Sequence, residues 1–170
     1  TPRAAVAQSL LTAVNAAIDA GSVTAAVADS GTLPAATVGV AILHQPSLLA
    51  LPNGYRTLIV HADAAATVFG GATGGQLVAA GMGGLLFNAG PGAGTVIAGG
   101  GNNLVSMYPG AGAQSVLLGA GDDTVVGLVG DDDIHAGRGR NSILLGLGHG
   151  DVLSEGDDLI AGGQIGRAHV

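Results

Sequence analysis

The sequence predicts an all-β protein: a parallel β-roll or β-solenoid of nonapeptide repeats with a short N-terminal α-helical cap. Three observations carry this. Short apolar runs recur at a fixed interval along most of the chain, glycine pairs recur in phase with them, and the side chains available for a core are uniformly small. Of 170 residues 32 are Gly, while Trp is absent and only two Tyr and two Phe occur. A short strand followed by a tight turn buries nothing alone, so repeats of this length must stack on one another to make a core. A core only two sheets thick suits Val, Ile and Leu.

The elements follow in chain order. Within residues 1–50, Val6, Leu10, Val14 and Ile18 recur every four residues between Ala4 and Ala20, and Gly21 follows. That spacing predicts an amphipathic helix, read here as a cap over the open end of the sheets, where unpaired strand edges would otherwise invite other chains. Val38, Val40 and Ile42 alternate and predict a first strand. The solenoid proper is predicted for residues 51–163. Taking one inward position per run, Val60, Phe69, Val78, Phe87, Val96 and Val105 lie nine residues apart. A step of eleven crosses Met107-Tyr108. Val116, Val125, Ile134, Ile143 and Val152 then resume the nine-residue step, and Leu159 comes seven later. Glycines keep the same phase, among them Gly99 and Gly101, Gly119 and Gly121, and Gly137 and Gly139. Two units make one coil of eighteen residues with two parallel sheets. Residues 164–170 form a tail, of which Ile165-Gly166-Arg167-Ala168-His169-Val170 reads as non-native sequence; the start at Thr1-Pro2 reads as that of a fragment or processed product.

Charge narrows the partners. The net charge is −7, with five Lys plus Arg against twelve acids, nine of which lie between Asp122 and Asp158. Nucleic-acid binding needs clustered cations, and Arg3, Arg56, Arg138, Arg140 and Arg167 form no such stripe. No apolar run is long enough for a membrane-spanning helix. The absence of cysteine excludes disulfides and thiolate metal sites. Acid doublets such as Asp122-Asp123 and Asp131-Asp132 repel one another unless a counter-ion or donor faces them. The positions beside the core are apolar in the first half (Ile59, Val68, Leu77, Leu86, Leu104) and polar in the second (Ser115, Thr124, Asp133, Ser142, Asp151), which predicts an apolar outer face on one half that needs a cover.

The repeat has a recognisable form. Leu118-Gly119-Ala120-Gly121-Asp122-Asp123-Thr124-Val125-Val126, Gly127-Leu128-Val129-Gly130-Asp131-Asp132-Asp133-Ile134-His135 and Ala136-Gly137-Arg138-Gly139-Arg140-Asn141-Ser142-Ile143-Leu144 fit the pattern G-G-x-G-x-D-x-U-x in most places, with Asn141 standing for Asp in the third. The chain resembles the hemolysin-type, RTX-like calcium-binding nonapeptide repeats. That resemblance implies a parallel β-roll, export from a bacterium to the extracellular space or cell surface, and Ca²⁺ held between stacked turns by the sixth-place Asp and turn carbonyls. In this sequence the sixth places place Asn103, Asp123, Asn141 and Asp157 in one column and Asp132 on the opposite edge. These five are the candidate metal ligands. Since Ca²⁺ accepts six to eight oxygens, carboxylate, amide and backbone alike, the column suits either the ion or a metal-free ladder in which Asn and Asp side chains bond neighbouring turns.

Two functions from different classes follow. The first is a secreted structural repeat module with calcium-dependent folding, part of a larger extracellular bacterial protein. The second is a metal-independent matrix or surface solenoid that self-associates through its ends or its apolar outer face. An enzyme is not expected: H-E-x-x-H, G-x-S-x-G and the P-loop are missing, and no Ser has a convincing base.

Overall fold

We describe the protein from a computed structural model. It describes the backbone of residues 23–27, 31–32, 38–43, 46–50, 57–62, 64–71, 75–80, 83–107, 112–127 and 129–169, and side-chain environments at 46–50, 60, 64–71, 83–107, 112–127 and 129–162.

The chain winds as a parallel β-solenoid. One face is built by β1 (Val23–Val27), β3 (Val38–Leu43), β5 (Thr57–Ala62), β7 (Gly75–Ala80), β9 (Gly94–Ala98), β11 (Gln114–Leu117) and β13 (Asp133–Gly139). The other is built by β2 (Gly31–Thr32), β4 (Ser47–Ala50), β6 (Ala66–Phe69), β8 (Leu85–Asn88), β10 (Leu104–Ser106) and β12 (Thr124–Val126). Strands along each face pair in parallel. The long β14 (Ser142–Gly156) wraps from the second face, beside β12, to the first, beside β13, and β15 (Leu159–His169) stacks on β14. Successive strands therefore alternate between faces, as the nine-residue unit requires. The coil begins earlier than residue 51, because β1 to β4 already pair in parallel along the same two faces, β1 with β3 at a shorter step of fifteen residues. The predicted helix at Ala4–Ala20 lies outside the described residues.

A single cluster of Val, Ile, Leu and Ala side chains runs between the faces, with Phe87 and Met107 as its largest departures. Val60, Phe87, Val96, Val105, Val116, Val125, Ile134, Ile143 and Val152 are buried as their spacing predicts. Phe69 is not: it is 41% exposed, and Val68, expected outside, is 0% exposed. The reason is the length of the coil. From β4 to β8 and from β5 to β9 the partners lie nineteen residues apart (Leu49 with Val68, Val68 with Phe87, Thr57 with Gln76), whereas Thr124 pairs with Ser142 and Ile134 with Val152, eighteen apart. A one-residue change of register turns a strand over. The same shift pairs Val78 with Ile97 rather than with the buried Val96. At the other end the step shortens to seventeen, so Ile160 stacks on Ile143 and Leu159 is 67% exposed. The extra residues near Met107-Tyr108 lengthen the coil to twenty, pairing Leu104 with Thr124 and Gln114 with Gly94.

Turn glycines are required where coils touch. Gly137 has φ +76, and a Cβ there would overlap the Gly119 carbonyl oxygen of the preceding coil. Gly121, Gly139 and Gly156 form a second such column, each lying over the glycine carbonyl one coil earlier.

The register makes a direct prediction for a pair of neighbours. Val68→Ala should lower stability by about 2 kcal/mol, the scale for removing buried methyl groups. Phe69→Ser should cost less than about half of that, since much of its ring stays in water. Denaturant melts of the two variants check it, and the reverse ranking would restore the strict nine-residue register.

Candidate functional site

The side chains singled out by spacing lie where each turn enters a strand. At that point the backbone N–H has left the turn and has not yet joined the sheet ladder, so it needs another acceptor. Asn103, Asp123 and Asn141 are all buried and stack in one column. Each points an oxygen at the equivalent N–H one coil earlier. Asn103 Oδ1 accepts from the Leu85 N–H at 2.9 Å, Asp123 Oδ1 from the Asn103 N–H at 2.7 Å, and Asn141 Oδ1 from the Asp123 N–H at 3.0 Å. The Asn103 amide also donates to Asp123 Oδ1 at 2.9 Å and to the Gly101 carbonyl at 2.9 Å.

The fourth member of the column is Asp158, not Asp157. Asp158 Oδ1 accepts from the Asn141 N–H at 2.6 Å, while Asp157 is exposed. The shortened last coil moves the next residue into place, the same shift that substitutes Ile160 for Leu159. Asp132 stands on the opposite edge, as spacing predicts, and its Oδ1 accepts from the Gln114 N–H at 3.0 Å. Gln114 extends that edge by donating to the carbonyls of Gly92 at 2.7 Å and Gly112 at 3.1 Å.

A second set of clamps runs the other way. Asn102 Oδ1 accepts from the Asp122 N–H at 3.0 Å, Asp122 Oδ1 from the Arg140 N–H at 2.9 Å, and Asp131 Oδ1 from the His149 N–H at 2.9 Å, in each case one coil later. Each doublet (Asn102-Asn103, Asp122-Asp123, Asp131-Asp132) thus reaches backward with its buried member and forward with its exposed one. The doublets are visible in the sequence, the first two one coil apart and the third half a coil further on; their opposite directions are not, because those depend on which side of the turn each side chain leaves.

The electrostatics divide along the same line. Asp122 is held below the ordinary carboxylate range, first by the Arg140 backbone N–H and then by its guanidinium, whose Nη2 lies 3.0 Å from Asp122 Oδ2. Burial pushes Asp123 upward against the hydrogen bonds from Asn103. Burial likewise raises Asp132, opposed by the Gln114 N–H and reinforced by the charge of Asp131.

Calcium can be tested against these atoms. The Oδ2 atoms of Asp123 and Asp158 are buried without a hydrogen-bond partner, which is what an absent cation would leave. Two features oppose an RTX-like cage. Both carboxylates already use Oδ1 on backbone, and they sit two rungs apart, about 10 Å at the usual strand spacing. A calcium ion reaches its oxygens at about 2.3–2.6 Å and wants six to eight of them. The Asn141 Nδ2, a donor that also lacks a partner, occupies the rung between them. Asp132 stands alone on its edge, between Gln114 and Gly150. Among the described residues no three acidic or histidine side chains converge on one point.

The remaining polar features among the described residues are a shelf and two surface pairs. An open shelf of about 500 Å³ on the first face is lined by Thr95, Gln114, Ser115, Asp131 and Asp133 with small neighbours. His135 Nε2 lies 3.3 Å from Asp133 Oδ1 at its border, and Arg138 pairs with Glu155 at 3.2 Å, both at the surface. Among the described residues no helix is long and apolar enough to cross a membrane.

The clamps predict a split between two substitutions. Asp123→Ala strands the Asn103 N–H and amide and should cost about 2–3 kcal/mol. Asp123→Asn keeps the acceptor and should stay within about 1 kcal/mol of the parent. The raised pKa values add a pH dependence. An acid whose folded pKa exceeds its unfolded one binds its proton more tightly when folded, so stability grows as pH falls through the raised value, fully so below about 4. The lowered Asp122 acts in the opposite sense, but only below its ordinary value. In chelator, the melting midpoint should climb as pH drops from neutral towards about 4.5, and Asp123→Asn with Asp132→Asn should flatten the climb. An unchanged slope in the double variant would contradict the assignment. Comparison with protein-family models, with curated proteins and with solved structures found no match to this chain.

Proposed function

We propose that the chain is a structural β-solenoid module of a larger extracellular or cell-surface protein, locked coil to coil by its own side-chain clamps rather than by a bound metal. One observation carries this reading: the buried Asn and Asp side chains at the sixth places point an oxygen at a backbone N–H of the neighbouring coil. An oxygen so engaged stabilises the stack whether or not an ion is present. The placement outside the cell rests on the resemblance to exported nonapeptide-repeat proteins.

Calcium-dependent folding is the second reading, and the unpartnered Oδ2 of the fully buried Asp123 favours it. An ion there would be held by that oxygen and by turn carbonyls, with Asp158 Oδ2 serving a separate position two coils on. Few carboxylates per ion mean weak binding.

Thermal melting separates the two. The metal-independent module melts at the same midpoint in chelator and at about 1 mM Ca²⁺. A calcium-dependent one gains stability as RT ln(1 + [Ca²⁺]/Kd), about 2.7 kcal/mol at a hundredfold excess over Kd, and loses that gain in Asp123→Asn. A chain that unfolds in chelator would overturn the first reading.

A further inference from the structure

The outer surface of the second face is rich in exposed apolar side chains. Two columns of side chains point away from the core there. One runs Leu48, Thr67, Leu86, Leu104, Thr124, Ser142, Leu159, and the other Ala50, Phe69, Asn88, Ser106, Val126, Leu144, Ala161. Leu48, Phe69, Leu86, Leu104, Leu144 and Leu159 are exposed. Neither column holds a charged residue, in a chain of net charge −7. The acids lie elsewhere: Asp133 and Asp151 stand in register on the opposite face, and Asp122 projects from a turn at the border. From β4 to β15, beyond the two-residue β2, this part of the face spans seven rungs, about 29 Å by about 13 Å, and its exposed apolar side chains present on the order of 500 Å², near the upper end of what a monomer leaves to water.

We infer that this face docks a second copy of the same chain, two-fold about an axis along β10. The order of residues in the columns argues for this occupant. Turning the face over about β10 reverses the rung order and keeps each column on itself. Leu48 of β4 then meets the second copy's Leu159 of β15, Phe69 meets its Leu144, and Leu104 meets its own copy. Of the six exposed apolar side chains on this face, all but Leu86, which meets a Thr124, find an apolar counterpart, while the partly exposed Val126 meets Asn88, so the contact is largely self-complementary about the two-fold. Two chains of the same strong negative charge approach at lowest electrostatic cost through the uncharged face. The area falls somewhat short of the roughly 800 Å² per partner of a stable standard interface, so the dimer is weak and concentration-dependent, with Kd on the order of micromolar. The inference does not depend on whether calcium stabilises the coils.

Sedimentation equilibrium in chelator, with a parallel series in Ca²⁺, tests it. Between about 1 µM and about 1 mM the mass should rise from 16.2 kDa towards twice that value. Leu104→Lys, which sets two lysines together on the axis, should weaken association at least about 100-fold with an unchanged melting midpoint. Leu48→Lys and Leu159→Asp should each weaken it, and the double variant should restore it, because residue 48 of one copy faces residue 159 of the other. Leu153→Lys on the opposite face should leave it intact. A monomer throughout the range overturns the proposal, as does an assembly indifferent to Leu104→Lys or one abolished by Leu153→Lys. Were Leu104→Lys to misfold, the more exposed pair at 48 and 159 decides alone: no rescue in the double variant rejects the two-fold arrangement.

Discussion

The structure depends on how the backbone N–H at each strand entrance is satisfied. A β-solenoid turns its chain sharply every nine or so residues, and every turn leaves a donor between the hydrogen bonding of the turn and that of the sheet. Buried and unpaired, such a donor costs about as much as a lost hydrogen bond, and the cost recurs in every coil. Here Asn103, Asp123, Asn141, Asp158 and Asp132 supply the acceptor from the next coil. The side chain that closes one coil is thereby fixed by the coil stacked on it.

That constraint explains the alternation of amide and carboxylate along the buried column. Consecutive aspartates one rung apart would set like charges side by side in a partly desolvated place. An Asn between them keeps the acceptor oxygen without the charge, and the Asn103 amide donates to Asp123 as well. The burial that raises Asp123 and Asp132 is the cost of the arrangement at neutral pH. The exposed members of the doublets escape it, since Arg140 and water face Asp122. The buried polar side chains of the nine-residue repeat thus have a backbone partner of their own.

The two outer surfaces then acquire different characters from one winding. Acidic outward positions fall on the first face in the later coils, in the column of Ser115, Asp133 and Asp151, while the second face carries leucine, threonine and serine in the corresponding places. Because successive units alternate between faces, a change in every second unit accumulates on one side only.

The sequence by itself determined the architecture. Apolar residues every nine positions with glycines in phase can bury themselves only by stacking, and Val96 to Val152 occupy the core as that period requires. It also pointed to Asn103, Asp123, Asp132 and Asn141, because polar residues at a fixed place in each repeat share one column in any solenoid of this period. Tertiary structure decided the rest, and the reason is local ambiguity. In Ala66-Thr67-Val68-Phe69 both of the last two residues are apolar, so the alternation does not say which faces inward; stacking on Leu49 and Phe87 does. In Asp157-Asp158 two identical side chains compete for one place, and only the seventeen-residue step to β15 selects the second. The opposite reach of neighbouring acids and the matched columns of the uncharged face arise between coils, where residues eighteen or more apart meet.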